Sequence, residues 1–224
     1  LPAFCSGFGQ FHTNELDPEN PFRKLSPYIA TTFATIRELC DTPQEVEKSE
    51  AMWVIPSTAM SRTHDQQRAI GRYGLLVADL DKQAGLPLST VAEAIRTIIL
   101  GCNFEIYTTK SATPENQKAR VVIELETQLD FPTWCEAQEI FFDKLESKGF
   151  KCDRSLSRAG QLFYLPNRGT YYQNLHERAA GKFGPLKFWS AELEARKART
   201  AAEYNEAQTR KNAAVLARAT RIAT

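Results

Sequence analysis

The chain has 224 residues, of which 42% are hydrophobic and 25% are charged, proportions typical of a globular protein that buries a core. Its five cysteines are scattered and odd in number and its three histidines lie far apart, which argues against a disulfide framework and a zinc site. No apolar run reaches the roughly 18 residues of a membrane span, and no signal peptide is recognised, so we expect a cytoplasmic protein without a membrane partner.

The net charge of +1 is unevenly distributed along the chain. Residues 168–224 contain 11 Lys and Arg against 5 Asp and Glu, whereas residues 1–167 contain 17 against 22. The basic C-terminal part is compatible with nucleic acid binding, although a solvated basic helix is the commoner explanation for such a segment.

Residues 1–72 are predicted to form an α/β extension packed on the main domain. Residues 1–27 are rich in Pro, Gly, Asn and Phe and are expected to be irregular. A helix of about a dozen residues is expected to begin at Ser26 and Pro27, because proline suits the first helical turn. The run Met52-Trp-Val-Ile55 predicts a strand, which the following proline stops.

The run Tyr73-Gly-Leu-Leu-Val-Ala-Asp-Leu-Asp81 predicts a short apolar strand that ends in two acids. Successive side chains of a strand point to opposite faces, so Asp79 and Asp81 share a face, with their Cα atoms roughly 6.5–7 Å apart. Two carboxylates at the end of a buried strand repel each other and lose hydration, and a divalent cation is the usual compensation. The alternative is that Asp79 only ends the strand and Asp81 caps the next helix.

The predicted elements from this strand onward alternate in a recognisable order. They are a strand at 74–79, a helix from Ser89 to Leu100, strands at 104–109 and 119–125, a helix at 132–148 capped by Asp130, and a strand at 161–165. This βαββαβ order is that of the ferredoxin-like or RRM-like α+β fold, an antiparallel sheet with two helices on one face. We therefore assign residues 73–186 to one core and residues 187–224 to a basic C-terminal helix or linker.

A third acid is expected near the pair. In the ferredoxin-like topology the fourth strand lies antiparallel beside the first, so Asp153 approaches the end of the sheet at which Asp79 and Asp81 lie. In the same predicted topology Glu124 and Glu126 also lie near this end, and either remains an alternative to Asp153. The basic residues Lys110 and Arg120 of the second and third strands are expected to lie at the opposite end of the sheet from Asp79 and Asp81.

Three segments together resemble the archaeo-eukaryotic primase superfamily, especially the replication primases and primase-polymerases of plasmids and phages. The first is Gly-Leu-Leu-Val-Ala-Asp79-Leu-Asp81, the second is Tyr107-Thr-Thr-Lys-Ser-Ala-Thr-Pro-Glu115 with Lys118-Ala-Arg-Val-Val-Ile-Glu-Leu125, and the third is Asp153 followed by Gly160-Gln-Leu-Phe-Tyr-Leu-Pro-Asn167. The family often carries Ser-x-His in the second segment. This chain has Thr109-Lys-Ser-Ala112 there, without a histidine, so Lys110 is expected to take over the phosphate contact.

The resemblance implies nucleotidyl transfer that makes a primer on single-stranded DNA from NTP or dNTP. It implies two Mg²⁺ or Mn²⁺ ions held by Asp79, Asp81 and Asp153. The candidates for nucleotide contacts are Tyr107, Lys110, Ser111, Lys118 and Arg120, with Tyr164 as a second aromatic that could stack on a base. The candidates for template contacts are Arg62, His64, Arg72 and Arg168. The C-terminal helix would lead to a helicase or a further domain.

Three other functions use a similar frame. A catalytically inactive module would bind nucleic acid without metal-dependent synthesis. An origin-nicking replication initiator needs a pair of histidines and a nucleophilic tyrosine, and the absence of a His-x-His motif counts against it. A nucleotide cyclase also places acids on a ferredoxin-like sheet, and it would act without a template.

Overall fold

The structure, a computed structural model, describes residues 3–9, 16–17, 20–24, 28–80 and 86–223. Two compact units are distinguished, Leu1–Pro185 and Leu186–Thr224. The strands are β1 (Phe4–Phe8), β2 (Leu16–Asp17), β3 (Asn20–Lys24), β4 (Ile29–Thr31), β5 (Met52–Ile55), β6 (Tyr73–Leu80), β7 (Phe104–Thr108), β8 (Ala119–Leu129), β9 (Phe163–Tyr164) and β10 (Asn174–Glu177). The helices are α1 (Phe33–Asp41), α2 (His64–Ile70), α3 (Leu88–Ile98), α4 (Phe131–Ser147), α5 (Pro185–Phe188) and α6 (Ser190–Ala223), with a 3-10 helix at Arg154–Ser157.

The first four-stranded sheet has the order β4-β1-β5-β9, and all of its neighbours are antiparallel. The prediction of the strand at 52–55 is confirmed, and all four of its residues are buried. The prediction of an irregular N-terminus is wrong, because β1 lies there and pairs with both β4 and β5. The helix expected from Pro27 begins only at Phe33. The side chain of Thr32 caps it by accepting a hydrogen bond from the Thr35 amide at 3.2 Å.

The second four-stranded sheet has the order β10-β7-β8-β6, again with antiparallel neighbours. Its strands β6, β7 and β8 are the first three strands expected from the sequence. Helices α3 and α4 pack against this sheet. Asp130 caps α4 as expected, accepting a hydrogen bond from the Thr133 amide at 3.0 Å. The mixture of helices with two antiparallel sheets agrees with the predicted α+β class.

The expected position of the fourth strand is wrong. The segment predicted at 161–165 forms β9, which pairs with β5 in the first sheet, whereas β10 completes the second sheet on the side of β7. The outer edge of β6 is covered instead by other groups. The indole of Trp134 donates to the Leu75 carbonyl at 2.8 Å, and the Gln138 amide bonds to both backbone groups of Val77 at 3.1 and 2.7 Å. Because these contacts satisfy the edge, no strand is needed there.

The C-terminal helix expected from residue 187 is found as α5 and the long α6. Among the helices of the described residues, none combines the length and the apolar character that crossing a membrane requires.

Candidate active site

The side chains of Asp79 and Arg120 lie directly opposite each other across β6 and β8. Residues paired in this way share a face of the sheet. Arg120 Nε donates to Asp79 Oδ2 at 2.8 Å, and the two side chains are only 18% and 13% exposed. The predicted metal ligand and a predicted phosphate contact therefore form one half-buried ion pair.

This pairing corrects the expected arrangement of charges along the sheet. In an antiparallel pair the beginning of one strand lies beside the end of the other, so Arg120 at the start of β8 meets Asp79 at the end of β6. Glu124 lies opposite Leu75, four residues from Asp79 along β6, which is about 13 Å in a strand. Glu124 Oε1 accepts instead from Lys182 Nζ at 2.7 Å, and Glu126 is exposed. Glu124 and Glu126 therefore both lie away from Asp79, near which the third acid is expected.

Arg120 also contacts β9 of the other sheet. Its Nη1 donates to the Tyr164 carbonyl at 3.4 Å, and its guanidinium carbon lies 5.6 Å from the centre of the Phe163 ring. The Tyr107 hydroxyl donates to the same carbonyl at 2.7 Å. Burial raises the pKa of Tyr107 well above its usual value. Tyr107 is fully buried, so its ring has no exposed face against which a base could stack.

A cavity of about 380 Å³ opens beside this ion pair. It is lined by Lys48, Ala51, Thr109, Lys110, Ser111, Arg120, Tyr164 and Asn167. Three of these side chains are cationic, two carry aliphatic hydroxyls, one is an amide and one is a phenol ring. The structure thus brings together Lys110, Ser111 and Arg120, three of the predicted nucleotide contacts, with Tyr164. Lys118 is not among the lining residues.

Lys110 occupies a defined position at the wall of the cavity. Its Nζ donates to the Val46 carbonyl at 2.8 Å and to Glu47 Oε1 at 2.8 Å. The main chain of Lys110 lies so close to Gly169 that a Cβ at Gly169 would collide with the Lys110 carbonyl oxygen. A glycine is therefore required in the turn after Asn167, as the Asn-Arg-Gly sequence suggests.

Lys48 is a lining residue that the sequence reasoning did not identify. Its Nζ lies 5.4 Å from the centre of the Tyr164 ring, a cation–π distance. The residue belongs to a polar, acidic stretch far from the predicted motifs, and no local pattern distinguishes it from a solvated surface lysine. The pairing of β5 with β9 and the hydrogen bonds between Val46 and Asn167 bring this stretch to the cavity.

The two remaining predicted metal ligands are Asp153 and Asp81. The amide of Asp153 donates to the Asp79 carbonyl at 3.1 Å, so its main chain lies against the end of β6. Its exposed carboxylate accepts from the Ser155 amide at 2.9 Å. Asp81 lies outside the described residues. Within the residues that the structure does describe, no group of three or more His, Cys, Asp or Glu is arranged to hold a metal ion.

The predicted template contacts are spread over the surface near α2 and after β9. Burial lowers the pKa of Arg62, whose charge interacts with the phenols of Tyr28 and Tyr164. His64 and Arg72 are exposed and are not among the residues that line the cavity. Arg168, also exposed, forms a 2.6 Å ion pair with Glu45.

Comparison with known proteins adds one likeness at the level of structure. No protein-family model matches the chain, and no curated protein sequence matches it. Among solved structures, the chain is similar to the AEP domain of the primase-polymerase (PrimPol) of cyanophage S-2L. The two share 12% sequence identity and a TM-score of 0.48 over 84% of this chain and 88% of that chain. At this identity, the assignment of a function depends on the residues of the site.

Proposed function

We propose that this chain is a DNA-dependent primase or primase-polymerase domain of a plasmid or phage replication protein. It would join nucleotides on a single-stranded DNA template, with NTP or dNTP as substrate. The observation that carries the proposal is the contact between Arg120 and Asp79 at the cavity wall, because it joins the predicted acid to the predicted phosphate site.

The cavity provides the groups that a nucleoside triphosphate requires. Lys48, Lys110 and Arg120 supply three positive charges, and a guanidinium can bind phosphate oxygens in a bidentate manner. Ser111 adds a hydroxyl donor. Tyr164, half-buried beside Lys48, offers a ring to the base or sugar. In this arrangement the cations hold the triphosphate and neutralise the charge that grows on the leaving pyrophosphate.

Asp79, Asp81 and Asp153 are the residues that would hold two Mg²⁺ or Mn²⁺ ions. Carboxylate oxygens are the ligands these hard cations prefer, and the hydrogen bond between the main chains of Asp153 and Asp79 supports the choice of Asp153 over the glutamates of β8. When bound, two such ions stabilise the attacking and leaving oxygens of a phosphoryl displacement. Arg120, which lines the cavity, holds the Asp79 carboxylate through its Nε.

The template would contact Arg62, His64, Arg72 and Arg168. Charge attraction to the backbone phosphates gives affinity without sequence readout there. The basic C-terminal helix would then connect the domain to a helicase or a further domain in the cytoplasm.

One observation favours a second candidate, the catalytically inactive nucleic-acid-binding module. The Asp79 carboxylate is engaged by Arg120 at 2.8 Å, and a permanent ion pair would prevent Asp79 from binding a metal ion. The two candidates differ in one property, because only the enzyme makes a primer.

The test is template-directed dinucleotide synthesis on single-stranded DNA with Mg²⁺ or Mn²⁺. We expect synthesis by the unaltered protein and a loss of at least about 100-fold in Asp79→Asn, Asp81→Asn and Asp153→Asn, since each would remove a ligand of the metal pair. Asp143→Asn, an exposed change on α4, is the control and should retain full activity. Synthesis at the unaltered rate by Asp79→Asn would rule out the proposed site, and no synthesis by any form would favour the inactive module.

A further inference from the structure

The segment 44–50 places a carboxylate against the phosphate site. Glu47 Oε1 accepts from Lys110 Nζ at 2.8 Å, and Lys110 lines the cavity. The next residue, Lys48, lines the same cavity. This short segment therefore supplies the cation Lys48 to the site. It also supplies the carboxylate of Glu47, which competes with a bound anion for Lys110.

Hydrogen bonds to the segment after β9 hold these residues in place. Asn167 Nδ2 donates to the Val46 carbonyl at 2.9 Å, and the Val46 amide donates to Asn167 Oδ1 at 3.1 Å. The Gln44 amide donates to the Pro166 carbonyl at 3.2 Å. The main chain immediately before Glu47 is thus fixed beside the cavity, since Asn167 is itself a lining residue.

The side chain of Glu47, in contrast, is 81% exposed, whereas that of Lys110 is 37% exposed. An exposed ion pair of this kind is weak and is easily exchanged for another anion. A triphosphate carries several negative charges and many acceptor oxygens, so it competes well for a lysine against one carboxylate. The second bond of Lys110, to the Val46 carbonyl, keeps the ammonium group at the cavity wall during the exchange.

We propose that Glu47 acts as an internal substitute for phosphate: it holds Lys110 in the ligand-free protein and is displaced by the triphosphate of the bound nucleotide. This inference rests on the proposed function, because it takes the cavity as the triphosphate site. Glu47 lowers the affinity of the site for polyphosphate, and the same competition promotes the release of the pyrophosphate product.

The test measures the binding of tripolyphosphate by calorimetry in EDTA, so that no metal site is needed. Glu47→Gln is expected to tighten binding by about two- to fivefold, the range of an exposed ion pair. Glu50→Gln is the matched control, because Glu50 is exposed in the same segment and the change alters the net charge equally. The effect of Glu47→Gln should disappear when Lys110→Met is also present, as a double-mutant cycle would show.

The outcomes separate this inference from the proposed function. The inference is supported if Glu47→Gln binds tripolyphosphate more tightly than the unaltered protein and Glu50→Gln does not. It is also supported if Glu47→Gln binds tripolyphosphate and neither the unaltered protein nor Glu50→Gln does. If the unaltered protein binds tripolyphosphate and Glu47→Gln changes its affinity no more than Glu50→Gln does, the inference is wrong and the triphosphate site stands. If neither the unaltered protein nor Glu47→Gln binds, both the inference and the proposed triphosphate site are wrong.

Discussion

Arg120 connects the two chemical parts of the candidate site. Its Nε holds Asp79 at 2.8 Å, and its guanidinium forms part of the cavity wall. Removing the charge should therefore affect both the stability of the protein and its affinity for phosphate. A lysine at this position would keep the charge but not the planar group of donors that reaches both Asp79 and the Tyr164 carbonyl.

We predict that Arg120→Met lowers the free energy of unfolding by about 1–3 kcal/mol, because the half-buried Asp79 carboxylate loses its guanidinium. The same change should weaken tripolyphosphate binding at least about tenfold, as expected for a lost charge-assisted contact. Urea unfolding and calorimetry measure the two effects. Arg158→Met, which removes an exposed arginine, is the control. Unchanged binding by Arg120→Met would show that the phosphate site lies elsewhere.

The residues of the site differ in how far the sequence reveals them. Lys110, Ser111 and Arg120 belong to a strand–loop–strand unit, so short-range pattern and family resemblance were enough to select them. Lys48 and Asn167 reach the cavity through contacts between distant parts of the chain, such as the bond between Asn167 and Val46. No pattern within a short window of the sequence predicts such contacts. The expected position of Arg120 is wrong for the same reason, because it depends on how β8 pairs with β6.

At the scale of elements, the covered edge of β6 decides how the two sheets are connected. Trp134 and Gln138, both on α4, bond to alternate residues of β6, and Asp153 follows at Asp79. These three groups bond to the Leu75 and Asp79 carbonyls and to both backbone groups of Val77. The segment 163–164 is consequently available to pair with β5, which places Tyr164 over the start of β8.

We predict that Gln138→Leu costs about 2–5 kcal/mol in the free energy of unfolding, because both backbone groups of Val77 would be left buried without a partner. Thermal or urea unfolding measures the loss. The control Gln66→Leu, an exposed change on α2, should alter stability by no more than about 0.5 kcal/mol. An equal effect of the two changes would mean that Gln138 does not stabilise the outer edge of β6.

Individual elements were predicted well where the local signal was strong, as for α4 with its Asp130 cap and for the buried β5. The short strand β1 is not predicted because a stretch rich in Pro and Gly carries no clear alternation of side chains, and β4 lies within the helix expected from Pro27. The strand β10 was missed for a similar reason. The partner of β9 could not be predicted from its own residues, since the choice depends on which strand edges are already covered.

At the scale of the whole molecule, a few buried contacts join the two sheets of the first compact unit. Tyr107 in the second sheet donates its hydroxyl to Tyr164 in the first sheet at 2.7 Å, and its ring packs edge-on against Phe163 at 6.3 Å. The cavity lies beside this contact. The Tyr107 hydroxyl donates this hydrogen bond between the sheets only while it is protonated.

Burial raises the pKa of Tyr107 well above the usual value of 10.0, so folding stability from this group is fully present below pH 10 and is lost as the pH rises above it. We predict that Tyr107→Phe costs about 0.5–1.5 kcal/mol at pH 7 through the lost hydrogen bond. Above pH 10 the variant should lose less stability than the unaltered protein, by up to about 1.4 kcal/mol per pH unit. Urea unfolding between pH 7 and 11 measures this, and identical slopes would contradict it.

The most direct test of the proposed function is a crystal soaked with Mn²⁺ and a non-hydrolysable nucleoside triphosphate. We predict an anomalous Mn²⁺ peak within about 2.0–2.3 Å of an Asp79 carboxylate oxygen, with phosphate oxygens on Lys110 and Arg120 and with Glu47 displaced from Lys110. A nucleotide bound outside this cavity, or Mn²⁺ bound away from Asp79 while the Asp79–Arg120 pair stays closed, would contradict the account.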